Sequence, residues 1–466
     1  MTSTDAYKLA MSHAGFPLRR ETFYFSFREG GWQYIPFDLR RCVGDVLDSV
    51  TFALSDNSLV ADDASCAFRV TETMRQMSPA DVTVDCVPPG SWVHAREPIL
   101  SVTGPSFLVS VIEPLISQLF YRIQVATSIK RGTVERFEPT CATQAGTVLE
   151  IADLISRNVV VDVQTEEYRA KVKEAATALV RKVDASRIVE VGLRSATCVE
   201  EHQIAVETMS AVGIKTTSAT HYRGMQVAGS MGHEHVQRLG DDLTAFRALR
   251  DRMATKPCYL LDTYDTISSG VPAAIIASTE SGRACSVRYD SGRKLENFAH
   301  TEGRFQDAGL EAPVHVISGN VVPSEIDRFE DMRRLLGVEE SRVVYSLGGY
   351  LVNGGRTRFM RSEVGATYNL SMTNGRPTMK FGDVLGKQSI PGRPVVWRRM
   401  RGDGPQGVIA QEGEQPAEGY AVLTNNPDVA RDANQYHSFN PETDADLALS
   451  PETNELIEQQ ETECLL

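Results

Sequence analysis

The sequence has few cysteines and no arrangement of them that builds a site. Eight stand at positions 42, 66, 86, 141, 198, 258, 285 and 464, with no Cys-x-x-Cys pair and no Cys/His cluster at zinc-finger spacing. That scatter excludes a zinc-ribbon or disulfide-stapled scaffold and predicts reduced thiols in a cytoplasmic protein. Long apolar runs are missing too. The most apolar stretch, Phe107 to Tyr121, is too short to span a membrane and contains Glu113 and Pro114. The first residues include Asp5 and no apolar segment, unlike a secretion signal. There is no basic excess: 48 Lys and Arg against 61 Asp and Glu leave a net charge of −13. This argues against a general nucleic-acid binder but leaves room for a local cationic pocket. Residues 401–466 hold 14 acids and only two bases, Arg401 and Arg431, so most of the deficit sits there. We read that stretch as a solvated tail.

What is present is a change of texture along the chain. The first 130 residues carry strand-like runs, Thr22 to Arg28, Ser91 to His94 and Pro98 to Thr103, divided by Pro-Pro-Gly and Gly-Pro turns. An apolar helix is predicted from about Ser106 to Ala126. From about residue 186 short apolar runs alternate with amphipathic helix patterns: Ile188 to Gly192, Tyr259 to Leu261, Ala284 to Val287, Val314 to Ile317 and Val343 to Ser346. This alternation predicts βα units on a parallel sheet. Polar or glycine residues follow each run: Arg194, then Asp262 and Asp265, then Arg288 and Asp290, then Gly319, then Gly348 and Gly349. Asp262, Asp290, Gly319 and Gly348 are spaced by 28, 29 and 29 residues, about one strand, one helix and two loops. In a βα barrel such residues meet on one rim at the carboxyl ends of the strands. Turn chemistry alone would explain any single one of them; five in succession favour a shared anion-binding rim.

Gly319, Gly348 and Gly349 would let backbone N–H groups approach a phosphate, and Arg194, Arg288 and Arg361 would add bidentate contacts. The carboxylates among them suit sugar hydroxyls or phosphate-bound Mg²⁺. The rim therefore suits a phosphorylated sugar. His233, after the small-residue turn Gly229-Ser-Met-Gly232, is expected to be exposed and reachable, although a lone His is more often a hydrogen-bonded surface or core residue; His233 with His235 makes a poor zinc pair, because an i, i+2 spacing shares a face only in a strand.

Ten motifs in order make the chain resemble the nicotinate phosphoribosyltransferase family, kin of nicotinamide phosphoribosyltransferase, from about Thr4 to Arg399. They are Thr4-Asp-Ala-Tyr-Lys8, Phe25-Ser-Phe-Arg28, Glu97-Pro-Ile-Leu-Ser-Val-Thr-Gly-Pro105, Ala126-Thr-Ser-Ile-Lys130, Gly192-Leu-Arg194, Thr216-Thr-Ser-Ala219, Gly229-Ser-Met-Gly-His233, Leu261-Asp-Thr-Tyr-Asp265, Arg288-Tyr-Asp-Ser-Gly292 and Asn374-Gly-Arg-Pro377. The resemblance implies an α/β fold: an irregular βα barrel of the type II phosphoribosyltransferase kind with a second α+β domain. The expected division is 1–130 for the N-terminal α+β domain, 131–360 for the barrel, 361–400 returning to the first domain and 401–466 as an acidic extension.

The implied activity transfers phosphoribosyl from phosphoribosyl pyrophosphate to nicotinate, with ATP as co-substrate and Mg²⁺ as cofactor. A phosphohistidine at His233 couples the two reactions. By the same carry-over Asp262, Arg288 and Asp290 are catalytic, with Asp290 on the ribose hydroxyls. Gly319, Asn320, Gly348 and Gly349 cradle the 5′-phosphate, while Arg28, Arg194 and Arg361 serve the substrates. The acceptor ring lies between Tyr7, beside Asp5, and Val191. The resemblance takes Tyr7 from a neighbouring subunit, implying a homodimer with shared sites. Ser218, where nicotinamide enzymes carry an Asp that would repel a carboxylate, favours nicotinate over nicotinamide. Arg293, Asn320 and Gly232 depart from the family pattern. The alternatives are nicotinamide as acceptor or a degenerate scaffold that binds NAD precursors.

Overall fold

The structure is a computed structural model that describes residues 4–14, 18–55, 71–132, 165–217, 231–253, 256–356, 358–382, 385–435 and 447–465. Its centre is a parallel sheet of six strands among the described residues: β1 (Ile188–Glu190), β2 (Lys215–Thr216), β3 (Cys258–Leu260), β4 (Ser286–Tyr289), β5 (Val314–Ile317) and β6 (Val343–Leu347). The spatial order is β2-β1-β6-β5-β4-β3. Each strand thus lies beside its sequence neighbour, and the last returns to the first, with Tyr345 opposite Ile188 and Leu347 opposite Glu190. This is the cyclic order of a βα barrel, with no β2–β3 pairing among the described residues. Ile188, Tyr259, Leu260, Val287, Tyr289, Ile317, Val343 and Tyr345 are fully buried. Runs buried this completely are what a parallel sheet covered by helices requires.

The helices follow local signals. Gly240, at φ +95°, ends the helix His233–Leu239, and Asp241 caps the next, Asp242–Arg252, by accepting from Thr244 N at 2.8 Å. Ala245, Phe246 and Leu249 turn that helix inward at helical spacing. The apolar helix expected from Ser106 to Ala126 is instead three successive helices, Ser106–Val111, Glu113–Ser117 and Leu119–Lys130. Pro114 lies in the first turn of the second, where a missing N–H is tolerated but cannot continue the helix before it.

A five-stranded antiparallel sheet joins the two ends of the match, in the order Arg376–Pro377, Thr367–Thr373, Arg20–Ser26, Leu100–Pro105 and Thr83–Cys86. Its core is built around Phe23, Phe25 and Phe27, separate from the barrel core. Arg238, on the helix that begins at His233, reaches across to Glu21 of this sheet, with Nε and Nη2 at 2.6 and 2.8 Å from the two carboxylate oxygens.

The acidic stretch is not a solvated tail. Gly407–Gln411 is a buried strand between Pro394–Arg399 and Leu447–Leu449, and Pro451–Leu465 is a helix. Glu452, Glu455, Glu458, Glu461 and Glu463 are exposed on that helix. Composition alone does not distinguish such a solvated face from a tail.

Candidate functional site

The carboxyl ends of the six strands carry the polar groups. At the end of β1, the buried Glu190 carboxylate accepts from the Gly192 N–H and from Thr216 Oγ1 (2.7 Å), and it meets His202 Nε2 at 3.0 Å. This ties β1 to β2 and fixes the loop that carries Val191, Gly192 and Arg194. Arg194 Nη1 then donates to Glu113 at 2.5 Å. Burial works against the Glu113 charge, but Lys8 and Arg194 outweigh it and hold the carboxyl down to about 2.

The N-terminal helix Ala6–Ala14 lies on this side of the rim. Ala6 N donates to the Thr217 carbonyl at 2.7 Å, and Thr217 Oγ1 donates to Asp5 at 3.1 Å. Burial pushes the Asp5 carboxyl up to about 6 against the pull of Arg194. Burial raises the pKa of the half-buried Tyr7 phenol, and the nearby Arg194 pulls it the other way. Tyr7 thus lies near Arg194 of the same chain.

After β3, Asp262 accepts from the Ser291 hydroxyl, and Thr263 Oγ1 lies 3.1 Å from His233 Nδ1. His233 Nε2 is buried without a hydrogen-bond partner among the described residues. Burial, then the nearby Lys380, push the His233 imidazole well below its usual pKa, so it is neutral at pH 7. Asp265 does not join this cluster. Its carboxylate caps the following turn, accepting from Ile267 N and Ser268 N at 3.0 and 2.6 Å.

After β4, Asp290 accepts from Ser318 Oγ at 2.9 Å. Burial opposes its charge, but Arg288, then Lys387 and Lys380, hold it well below the usual carboxylate range. Gly319 and Asn320 follow β5, both with positive φ, +73° and +56°. Gly348 and Gly349 follow β6, and a Cβ on Gly348 would lie 3.2 Å from the Val191 carbonyl oxygen. Arg28 and Arg361 enter from the antiparallel sheet and the turn before it. Arg28 Nη2 donates to Thr367 Oγ1 at 3.1 Å, and Arg361 Nη2 donates to the Ala366 carbonyl at 2.5 Å, leaving the buried Arg361 Nε without a partner among the described residues. Burial, with Arg194 and Arg28 adding like charge, pushes Arg361 down to about 9.

The sequence reading missed two lysines. Phe381 N and Gly382 N donate to the Thr263 carbonyl at 3.2 and 3.1 Å, which draws buried Lys380 to the rim. Lys387 Nζ donates to the Asp290 carbonyl at 2.9 Å. Burial, then Arg28, lower Lys380 to about 7. Six cationic side chains, Arg28, Arg194, Arg288, Arg361, Lys380 and Lys387, thus lie around Asp290. Such a surplus is a site for a polyanion. Ser218 lies outside the described residues, and among the described residues no group of three or more His, Cys, Asp and Glu is placed to hold a metal ion by itself.

No protein-family model matches the sequence. Curated proteins do: human nicotinate phosphoribosyltransferase is 26% identical over 454 residues, 89% of this chain and 79% of that protein. Nicotinate phosphoribosyltransferase 2 of Arabidopsis thaliana is 24% identical over 467 residues, 91% of this chain and 79% of that protein. The chain is similar to nicotinate phosphoribosyltransferases over about nine-tenths of its length. The enzyme of Bacillus subtilis (strain 168) reaches 30% identity over a shorter span of 182 residues, 37% of this chain and 34% of that protein. The fold agrees. The crystal structure of nicotinate phosphoribosyltransferase from Porphyromonas gingivalis superposes with a TM-score of 0.55 at 18% identity, covering 84% of this chain and 96% of that one. The enzyme from Vibrio cholerae gives 0.56 at 14% identity, covering 83% and 88%.

Proposed function

We propose that this chain is a nicotinate phosphoribosyltransferase of NAD salvage, joining nicotinate and phosphoribosyl pyrophosphate to give nicotinate mononucleotide and pyrophosphate. The observation that carries the reading is the ring of cations around Asp290, with His233 Nε2 beside it, buried and unpartnered among the described residues. As the ribose–pyrophosphate bond breaks, positive charge develops on the sugar and negative charge on the leaving group. Asp290 faces the first, and Arg28, Arg361, Lys380 and Lys387 face the second. The nicotinate ring nitrogen forms the new bond to the ribose carbon, and the bond electrons leave with pyrophosphate. Gly319, Asn320, Gly348 and Gly349 would hold the 5′-phosphate, and Tyr7, Val191 and Arg194 the acceptor.

ATP coupling through His233 is part of this proposal. In the tautomer whose Nδ1–H donates to Thr263 Oγ1, Nε2 carries the free lone pair. Nε2 takes the γ-phosphoryl group of ATP as the bond to ADP breaks, and water later releases phosphate. Mg²⁺ would neutralise charge on the diphosphate. Asp262 and Asp290, carboxylates at neighbouring strand ends, are a donor set that fits an ion sharing its ligands with phosphates.

The dimer and the cytoplasmic location remain part of the proposal. The cysteines among the described residues are all free, in keeping with a reducing compartment, and no helix among them is long and apolar enough to cross a membrane. Mononucleotide formation from nicotinate and from nicotinamide, each with and without ATP, tests the reading. We expect nicotinate to be the better acceptor; exclusive use of nicotinamide overturns the acceptor assignment, and no transfer to either base favours the scaffold.

A further inference from the structure

The departure from the family pattern at residue 293 lies on the surface. Arg293 is exposed, and its guanidinium meets Glu296 at 3.2 Å. The next residue, Lys294, turns inward instead. Its Nζ donates to the Ser318 carbonyl at 2.9 Å and to the Gly319 carbonyl at 2.8 Å, and it meets the Glu325 carboxylate at 2.6 Å. Lys294 opens the helix Lys294–Asp307, and Glu325 lies in the first turn of the helix Pro323–Leu335. A cation at a helix N-terminus faces the positive end of the helix dipole. Three acceptors from outside its own helix offset that placement and hold the ammonium against the turn that follows β5.

Two carbonyls on one ammonium fix the orientation of two peptide units. Both peptides are trans, so each N–H points opposite to the C=O of its own unit. The Gly319 N–H therefore points away from Lys294, and so does the Asn320 N–H. Gly319 is half-buried and Asn320 exposed, so a ligand can reach this turn. A cation on the two carbonyls also polarises the peptides and makes their N–H groups stronger donors. Backbone N–H groups turned to one side in this way are suited to an anion. We propose that Lys294 is a positioning residue that turns the Gly319 and Asn320 N–H groups toward the 5′-phosphate of the phosphoribosyl donor. It acts through the backbone, from the carbonyl side of the turn.

The inference deepens the proposed phosphoribosyl site and rests on it. The test compares the full-length parent with Lys294→Met and Glu325→Gln. Titration calorimetry reads the affinity for ribose 5-phosphate and, separately, for inorganic pyrophosphate; steady-state kinetics read the KM for phosphoribosyl pyrophosphate and for nicotinate. We expect Lys294→Met to weaken ribose 5-phosphate by about tenfold or more, the effect of losing one hydrogen bond to a charged group, and to raise the KM for phosphoribosyl pyrophosphate in step. Pyrophosphate affinity and the KM for nicotinate should stay at parent values. Glu325→Gln keeps the lysine charge and loosens its tether, so it should give the same selective loss in smaller size, and it serves if Lys294→Met does not fold. An equal loss for both anions would make Lys294 a plain source of charge, and a lower thermal midpoint with both affinities unchanged would make it a plain structural residue. Either result in a folded variant overturns the inference. A parent that binds pyrophosphate but not ribose 5-phosphate overturns it together with the phosphoribosyl reading. A parent that binds both, loses ribose 5-phosphate selectively on substitution and transfers to neither base overturns the proposed activity alone.

Discussion

Gly319 lies so close to Asp290 that a Cβ on residue 319 would stand 1.9 Å from the Asp290 carbonyl oxygen. The contact joins the ends of two neighbouring strands, and the Ser318 hydroxyl reinforces it from the same turn. The carboxylate proposed to face the ribose and the loop proposed to hold the 5′-phosphate are therefore one rigid unit.

Gly319→Ala should break that unit. The backbone at φ +73° disfavours any side chain, and the methyl group has only backbone to displace. Strain of about 1–3 kcal/mol is expected. The thermal midpoint should fall and the KM for phosphoribosyl pyrophosphate rise at least tenfold. A variant with parent KM would remove Gly319 from the phosphate loop.

Lys380 gives the site a pH dependence of defined sign. Burial and then Arg28 place its pKa near 7 in the free protein, below the value near 10.5 of the unfolded chain. Between about pH 7 and 10.5 the unfolded chain binds more protons, so this residue's contribution to stability rises with pH across that window. A bound polyanion raises the pKa again, so binding takes up a proton. Affinity for phosphoribosyl pyrophosphate should be greatest below about pH 7 and fall as pH rises above it, by up to about tenfold per unit. Titration calorimetry at pH 8 in two buffers of different ionisation enthalpy should show proton uptake in the parent, reduced in Lys380→Met. Equal heats in both buffers for the parent would contradict the assignment.

Tyr7 and His233 come from one chain in this structure, and mixing variants tests whether they also act from one chain. Tyr7→Ala and His233→Ala subunits, unfolded and refolded together, should give no ATP-coupled activity beyond the two variants refolded alone. Sites shared across a dimer would restore about a quarter of the parent rate, the share expected from random pairing.

The spacing of strand ends made the barrel and most of its rim legible, because a strand buried on both faces must be apolar and its end must then turn. Ile188, Tyr259, Val314 and Val343 mark the strands and Asp262, Asp290, Gly319 and Gly348 mark their ends. Strand Lys215–Thr216 escaped notice because two residues show no periodicity. Asp265 looked like a rim acid because capping and catalysis select the same residue type at a helix start. Lys380 and Lys387 stand more than 100 residues beyond Asp262, and the backbone pairing of residues 381 and 382 with Thr263 brings that segment to the rim. The Lys8–Glu234 pair, 226 residues apart in sequence, carries no local signal in either partner.

The most direct measurement gives the protein ATP labelled in the γ-phosphate, first alone and then with nicotinate and phosphoribosyl pyrophosphate. The account predicts an acid-labile label on the parent, no label on His233→Ala, and nicotinate mononucleotide from both, with ATP dependence in the parent alone. Label retained on His233→Ala, or mononucleotide formed by a parent that neither takes up label nor responds to ATP, would contradict it.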